Sequence, residues 1–191
     1  MIKLFEQYQK KAIPAMKEKF GYKSIMAVPK IEKAVINIGF GKRVTGKTSD
    51  EQKKVQEGIL KELVLISGQA PILTQAKKSI AGFKLRQGMS IGAMVTLRGE
   101  RMYDFLERLI HIVLPRSRDF NGIGVKSIDG SGNLSLAIRE HIAFPEIEPE
   151  KAKSIFSLEI TVVTTAKNKE EGLELFRLLG FPIKKEEQKV N

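Results

Sequence analysis

The chain has 191 residues, 42% of them hydrophobic, which supplies a packed core and excludes wholesale disorder. Lys and Arg number 33 against 22 Asp and Glu, a formal net charge of +11 that draws the chain to polyanions, with nucleic acid and anionic membrane as the candidates. No stretch approaches the roughly 20 apolar residues that span a bilayer. The segment Met1-Ile2-Lys3-Leu4-Phe5-Glu6 lacks the apolar core of a signal peptide. With no cysteine there are no disulfides and no thiolate metal site, in keeping with a reducing interior such as the cytoplasm.

Residues 3–20 are predicted as an amphipathic helix, because Leu4, Tyr8 and Ala12, and likewise Ile13, Met16 and Phe20, recur at helical spacing; Pro14 is expected to kink it. A strand is expected over 34–40, with Ile36, Ile38 and Phe40 on one face and Val35, Asn37 and Gly39 on the other. A second helix over 50–66 carries Val55, Leu60, Leu63 and Ile66 and stops at Gly68. Short strands follow at 71–76, 82–87 and 91–98, punctuated by Gly82, Gly88 and Gly92. A third helix is predicted over 100–114, with Pro115 beyond its end, and a long loop rich in Gly and Arg over 116–133. Strands are expected at 134–139 and 158–165. The last helix opens at Asn168, with Glu171 three residues on, and closes at Gly180; residues 184–191 read as a charged flexible tail. Together these elements predict an α+β fold: a mainly antiparallel sheet with helices packed on one face, in a single domain over residues 1–183.

Such a sheet leaves its other face free. Alternation assigns to that face Asn37, Thr96, Arg98, Ser135 and Arg139, together with Lys84 and Arg86 if Phe83 and Leu85 point inward. These amide, hydroxyl and cationic donors suit phosphates and sugar hydroxyls, and no acid stands among them. The sharper signal is local. Between Leu63 and Gly99 there is no Asp or Glu, while Lys77, Lys78, Lys84, Arg86 and Arg98 all fall within that stretch. Residues Thr74 to Lys84, with Ser79 and Gly82 between the lysines, read as a projecting loop that grips a phosphate backbone. Aromatic stacking is a poorer signal, since Tyr103, Phe105 and Phe176 sit at helix positions that suit core packing.

Catalytic patterns are weak. His111 and His141 are the only histidines and have no cysteine to support a zinc site. Gly39-Phe40-Gly41-Lys42 lacks the spacing of a phosphate loop and reads as a turn. Ser131, between Gly130 and Gly132, suits a hairpin turn better than a nucleophile elbow. No catalytic residue, metal or cofactor is expected.

The chain resembles the bacterial large-subunit ribosomal protein five family, which binds 5S rRNA. The resemblance rests on Val28-Pro29-Lys30-Ile31-Glu32-Lys33, on Gly68-Gln69-Ala70-Pro71, and on the run Ala76 to Arg86. It continues in Val95 to Tyr103, Leu114 to Phe120, Asp129 to Asn133, Phe144 to Ile147 and Thr164 to Ala166, in family order over most of residues 4–182. Gln87 departs from a usual Glu and Ser90 from a common Pro, and Ser157-Leu158-Glu159-Ile160 lacks the family's Gly-Met-Asp. The resemblance implies a place in the central protuberance of the cytoplasmic ribosome, beside large-subunit rRNA and neighbouring ribosomal proteins. It implies that Asn37, Gln69 and Thr96 contact 5S rRNA. Asn37 and Thr96 are also placed on the free face by alternation, which adds Arg98 to the set. It further implies that the loop over Thr74, Lys77, Lys78, Ser79, Gly82 and Lys84 reaches peptidyl-site tRNA, and that another surface bridges to a small-subunit head protein. A free-standing RNA chaperone and a phosphate-handling enzyme at Gly39–Lys42 are the rival readings.

Overall fold

A computed structural model gives the structure of residues 3–118, 120–150 and 154–184. Its five strands are β1 (Ile31–Gly39), β2 (Ile72–Gln75), β3 (Ser90–Leu97), β4 (Leu134–Ile138) and β5 (Leu158–Thr164), in the sheet order β2-β3-β1-β5-β4. Neighbours run antiparallel. Ile72 of β2 lies opposite Met94 of β3. The end of β1 meets the start of β3 where the Phe40 N–H donates to the Ile91 carbonyl at 2.8 Å. The start of β1 meets the end of β5 where the Thr165 N–H donates to the Lys30 carbonyl at 3.0 Å. The start of β4 faces the end of β5 where the Thr164 N–H donates to the Asn133 side-chain oxygen at 2.9 Å. The predicted α+β class, with its antiparallel sheet, is what the chain adopts.

Both proline-bearing helices absorb their proline in the same way. Helix α1, residues 4–20, is α-helical over Leu4–Gln7, π-helical over Tyr8–Ala12 and α-helical again over Ile13–Phe20. Helix α3, residues 99–116, is α-helical over Gly99–Arg108, π-helical over Leu109–Val113 and α-helical over Leu114–Arg116. In each, the wide turn ends two residues before the proline, which has no N–H to give to the preceding turn. Pro115 therefore sits inside the helix, which continues to Arg116, and the expectation that the helix ends before it is corrected.

Helix α2 (Ser49–Ser67) opens on a capping box, with the Thr48 N–H donating to the Glu51 carboxylate at 3.0 Å, and closes at Gly68 with φ 66°. Helix α4 (Lys169–Leu178) opens where the Asn168 side chain accepts from the Glu171 N–H at 2.9 Å. Of the tail expected at 184–191, only Lys184 is described; its N–H donates to the Ile123 carbonyl at 2.9 Å, and residues 185–191 lie outside the described residues.

The chain divides into two compact units. The first takes Met1–Ala34, Leu97–Leu136 and Ile160–Asn191. There α1 packs against α3 and α4, and Leu4, Ala12, Met16, Phe105, Leu106 and Phe176 are buried. Gly132 and Gly172 pass so closely that a Cβ on Gly172 would lie 2.4 Å from the Gly132 carbonyl oxygen. The second unit takes Val35–Thr96 and Ala137–Glu159. Its core holds Ile36, Ile38 and Phe40 with Ala93 and Val95, the α2 residues Ile59, Leu63 and Ile66, and Phe144, Phe156 and Leu158.

The expected strand over 82–87 does not form. Residues Ala81–Phe83 make a single 3-10 turn, closed by reciprocal hydrogen bonds between Ile80 and Leu85 at 3.1 Å. Phe83 and Leu85 therefore do not point inward as a pair: Phe83 is 68% exposed, and Leu85 is half-buried. A turn this tight leaves no room for alternation, so period-two reasoning fails there.

Candidate RNA interface

Asn37 is exposed on β1 between buried Ile36 and Ile38. Thr96 is half-buried on β3 between buried Val95 and Leu97. The pleat thus turns both side chains away from the core, on neighbouring strands. Gln69 follows the α2 stop at Gly68, and its Nε2 donates to the Thr96 carbonyl at 3.2 Å while its own N–H donates to the Ser67 hydroxyl at 3.3 Å. That pair of bonds fixes the direction of an otherwise flexible side chain. All three residues belong to the second unit.

Arg98 belongs to the first unit and is exposed, with Nη1 3.0 Å from Glu32 Oε1. The hydrogen bond from Arg98 holds the Glu32 carboxyl below its ordinary range. The strands also expose Glu159, so their outward positions carry both signs. Absence of acid on the face, inferred from the named residues alone, does not hold for the strands as a whole. Ser135 and Arg139 are exposed on and just after β4, and the Ser135 hydroxyl lies 3.2 Å from that of Thr161.

The loop between β2 and β3 is anchored at its base by two hydrogen bonds, Ala76 N–H to the Met89 carbonyl at 2.8 Å and Gly88 N–H to the Ala76 carbonyl at 3.0 Å. Thr74 lies within β2, half-buried. Opposite it a side chain on Gly92 would come within 2.5 Å of the Thr74 hydroxyl, so the strand pair closes only on glycine. Lys77, Lys78, Ser79, Gly82 and Lys84 are all exposed. The Ser79 hydroxyl accepts from the Gln87 N–H at 2.9 Å and ties the two sides of the loop together. Lys84 sits in the left-handed region with φ 50°, the only non-glycine residue with positive φ among the described residues. Lys77, Lys78 and Lys84 form no salt bridge among the described residues.

His111 is exposed on α3. His141 is fully buried, stacks on Phe156 at 3.9 Å between ring centroids, and accepts the Phe156 N–H on Nδ1 at 3.3 Å. Its Nε2 lies 3.2 Å from Glu62 Oε2, off the line of a good hydrogen bond. Burial lowers the His141 pKa and raises that of Glu62, so both are pushed toward their neutral forms. No group of His, Asp and Glu that would hold a metal ion occurs among the described residues. None of the described helices is long and apolar enough to cross a membrane.

Two family models match the chain in succession: ribosomal protein L5 over residues 24–86, and the C-terminus of the same ribosomal protein family over residues 90–183. The large ribosomal subunit protein uL5 of Syntrophomonas wolfei subsp. wolfei is 52% identical over 184 residues, covering 96% of this chain and 100% of the relative. Those of Alkaliphilus oremlandii and Halothermothrix orenii are 51% and 49% identical, covering 97% and 94% of this chain and 100% and 97% of the relatives. The class is thereby set: a structural constituent of the large ribosomal subunit, not an enzyme. The chain belongs to the ribosomal protein L5 family.

Sequence reasoning missed Glu32 as the partner of Arg98, the His141–Glu62 pair and the exposure of Phe83. Acidic residues at outward strand positions were readable for Glu32 and Glu159. Nothing local in the sequence joins residue 62 to residue 141.

Proposed function

We propose that the chain holds 5S rRNA in the central protuberance through Asn37, Gln69 and Thr96, with Arg98 adding a charged contact. The loop from Thr74 to Lys84 reaches the peptidyl-site tRNA, and a further surface takes part in the bridge to the small-subunit head. The observation that carries the 5S rRNA reading is the fixing of Gln69 on the Thr96 carbonyl, beside an Asn37 that the pleat turns outward. These are hydrogen-bonding groups set in direction by backbone, as recognition of RNA shape and edges requires. The unpaired lysines of the loop support a second RNA contact from a separate surface.

The test is titration of the free protein with 5S rRNA, tRNA and an unrelated stem-loop at one moderate salt concentration. The 5S rRNA should bind tightest. Asn37→Ala and Thr96→Ala should each weaken that binding by about 0.5–1.5 kcal/mol with thermal unfolding unchanged. Equal affinity for all three RNAs removes the specific reading. A large drop in unfolding temperature with unchanged RNA binding would turn the two residues into packing groups.

A further inference from the structure

The exposed ring of Phe83 stands at a cleft of about 740 Å³ within the second unit. The cleft's floor is apolar, made by Phe40, Ile91 and Phe156. Gly39, Gly41 and Gly46 line it without side chains, and a Cβ added at Gly39 or Gly46 would meet nothing within 4 Å. Its rim is cationic: Lys42 and Lys84 are exposed there, while Arg43 is engaged with the Ile155 carbonyl. A second cleft, lined by Lys47, Arg86, Ser79 and Gln52, adjoins the first along Gly46, Lys84 and Leu85. Among the described residues, no acidic residue lines either cleft.

We propose that this cleft is a nucleobase pocket: one unstacked RNA base lies against the Phe83 ring over the apolar floor, and its flanking phosphates run along Lys42, Lys84 and Arg86. The inference rests on reading the loop as an RNA-contacting element, and it adds what the loop recognises. A phenyl ring kept in water is costly, and most of this chain's phenylalanines are buried. Base stacking is the interaction that uses such an exposed ring beside cations. An apolar peptide would find the floor suitable but not the acid-free basic rim. A bare polyanion would use the rim and leave the floor empty. Only a nucleotide uses both, and the two adjoining clefts give its base and its backbone separate places.

The chain has no tryptophan, so Phe83→Trp introduces a single fluorescent reporter at the site. The full chain carrying Phe83→Trp is titrated with a short single-stranded RNA oligomer, with the same oligomer made abasic, with tRNA and with 5S rRNA. The base-bearing oligomer should quench the emission in a saturable way and the abasic one should not; the tRNA and 5S rRNA arms show which structured RNA supplies the base. Phe83→Leu should weaken oligomer binding about 5- to 160-fold, the loss of one stacked base, while the slope of log affinity against log salt stays the same. Lys42→Gln and Lys84→Gln should instead each flatten that slope by about 0.7. Circular dichroism melting confirms that each variant is folded. Equal quenching by the abasic oligomer, or an unchanged affinity in Phe83→Leu, overturns the proposal. If Phe83→Leu is silent while Lys77→Ala with Lys78→Ala still weakens tRNA retention by the ribosome, the loop reading stands and the base pocket falls. If both are silent, both fall.

Discussion

His141 shows how one side chain couples burial to protonation. Its Nδ1 accepts the Phe156 N–H, so the neutral ring carries its proton on Nε2, facing Glu62. Protonation would turn Nδ1 into a donor aimed at another donor, in a site with no exposure. Glu62 and Arg43 are the charged groups that act there, but burial lowers the pKa of the ring before any neighbour does. A His whose folded pKa lies below its unfolded value of about 6.5 takes up its proton more readily when unfolded. Its contribution is complete above that pH and is lost as pH falls below it. Glu62, with a pKa raised by burial, acts in the opposite sense, costing stability as pH rises above its ordinary carboxylate value. The expected outcome is that the Phe156 amide exchanges faster at pH 5.5 than at pH 7.5, after correction for intrinsic exchange. His141→Gln, which keeps an acceptor but does not titrate in this range, should remove the difference. Equal protection at both pH values in the unaltered chain would show that the ring is not held neutral by burial.

At the scale of elements, the proposed function uses the β2–β3 loop and the sheet face as separate tools. The loop is closed on itself by the Ile80–Leu85 bonds and by Ser79 with Gln87, so substitutions at its exposed lysines should not reach the strands. Ribosomes carrying Lys77→Ala with Lys78→Ala should release peptidyl-site tRNA faster, while 5S rRNA titration of the free protein changes little. A large loss in the titration with unaltered tRNA release would assign the loop to 5S rRNA and end the two-surface reading. The same elements explain what the sequence made legible. Ile36, Ile38, Val95 and Leu97 alternate over real strands, so the outward turn of Asn37 and Thr96 could be read directly. Gly68, Gly180 and Asn168 mark helix ends through backbone and capping chemistry that is local. Residues 82–87 misled because Phe83-Lys84-Leu85-Arg86 alternates in composition, whereas a left-handed Lys84 ends the turn in space. Pro115 misled because a π turn, invisible to periodicity, makes room for it. The Gln69–Thr96 bond spans 27 positions, and no local pattern encodes a contact that distant.

Over the whole molecule, the proposed function assigns charge and specificity to different residues. The net charge of +11 is spread over lysines and arginines, several of which are already answered by acids: Lys10 by Glu6, Lys19 by Glu174 and Arg98 by Glu32. Surface pairs of this kind are screened by salt and contribute little to folding, but they subtract from what the surface offers a polyanion. The residues proposed to recognise 5S rRNA include three that carry no charge, namely Asn37, Gln69 and Thr96. Counterion release depends on phosphates neutralised by cations, and each such contact contributes about −0.7 to −0.9 to the slope of log affinity against log salt. A neutral hydrogen bond contributes to affinity at every salt concentration and nothing to that slope. The unaltered chain should therefore bind 5S rRNA with a steep negative slope, and Asn37→Ala should give a parallel line displaced to weaker binding. Arg98→Gln should give a flatter line, by less than one full contact because Glu32 already shares the guanidinium. Titrations from about 50 to 200 mM salt, the range over which such slopes are resolved, separate the two behaviours. A change of slope in Asn37→Ala without displacement would mean that the sheet face binds through charge after all, and the division between steering and recognition would have to be abandoned.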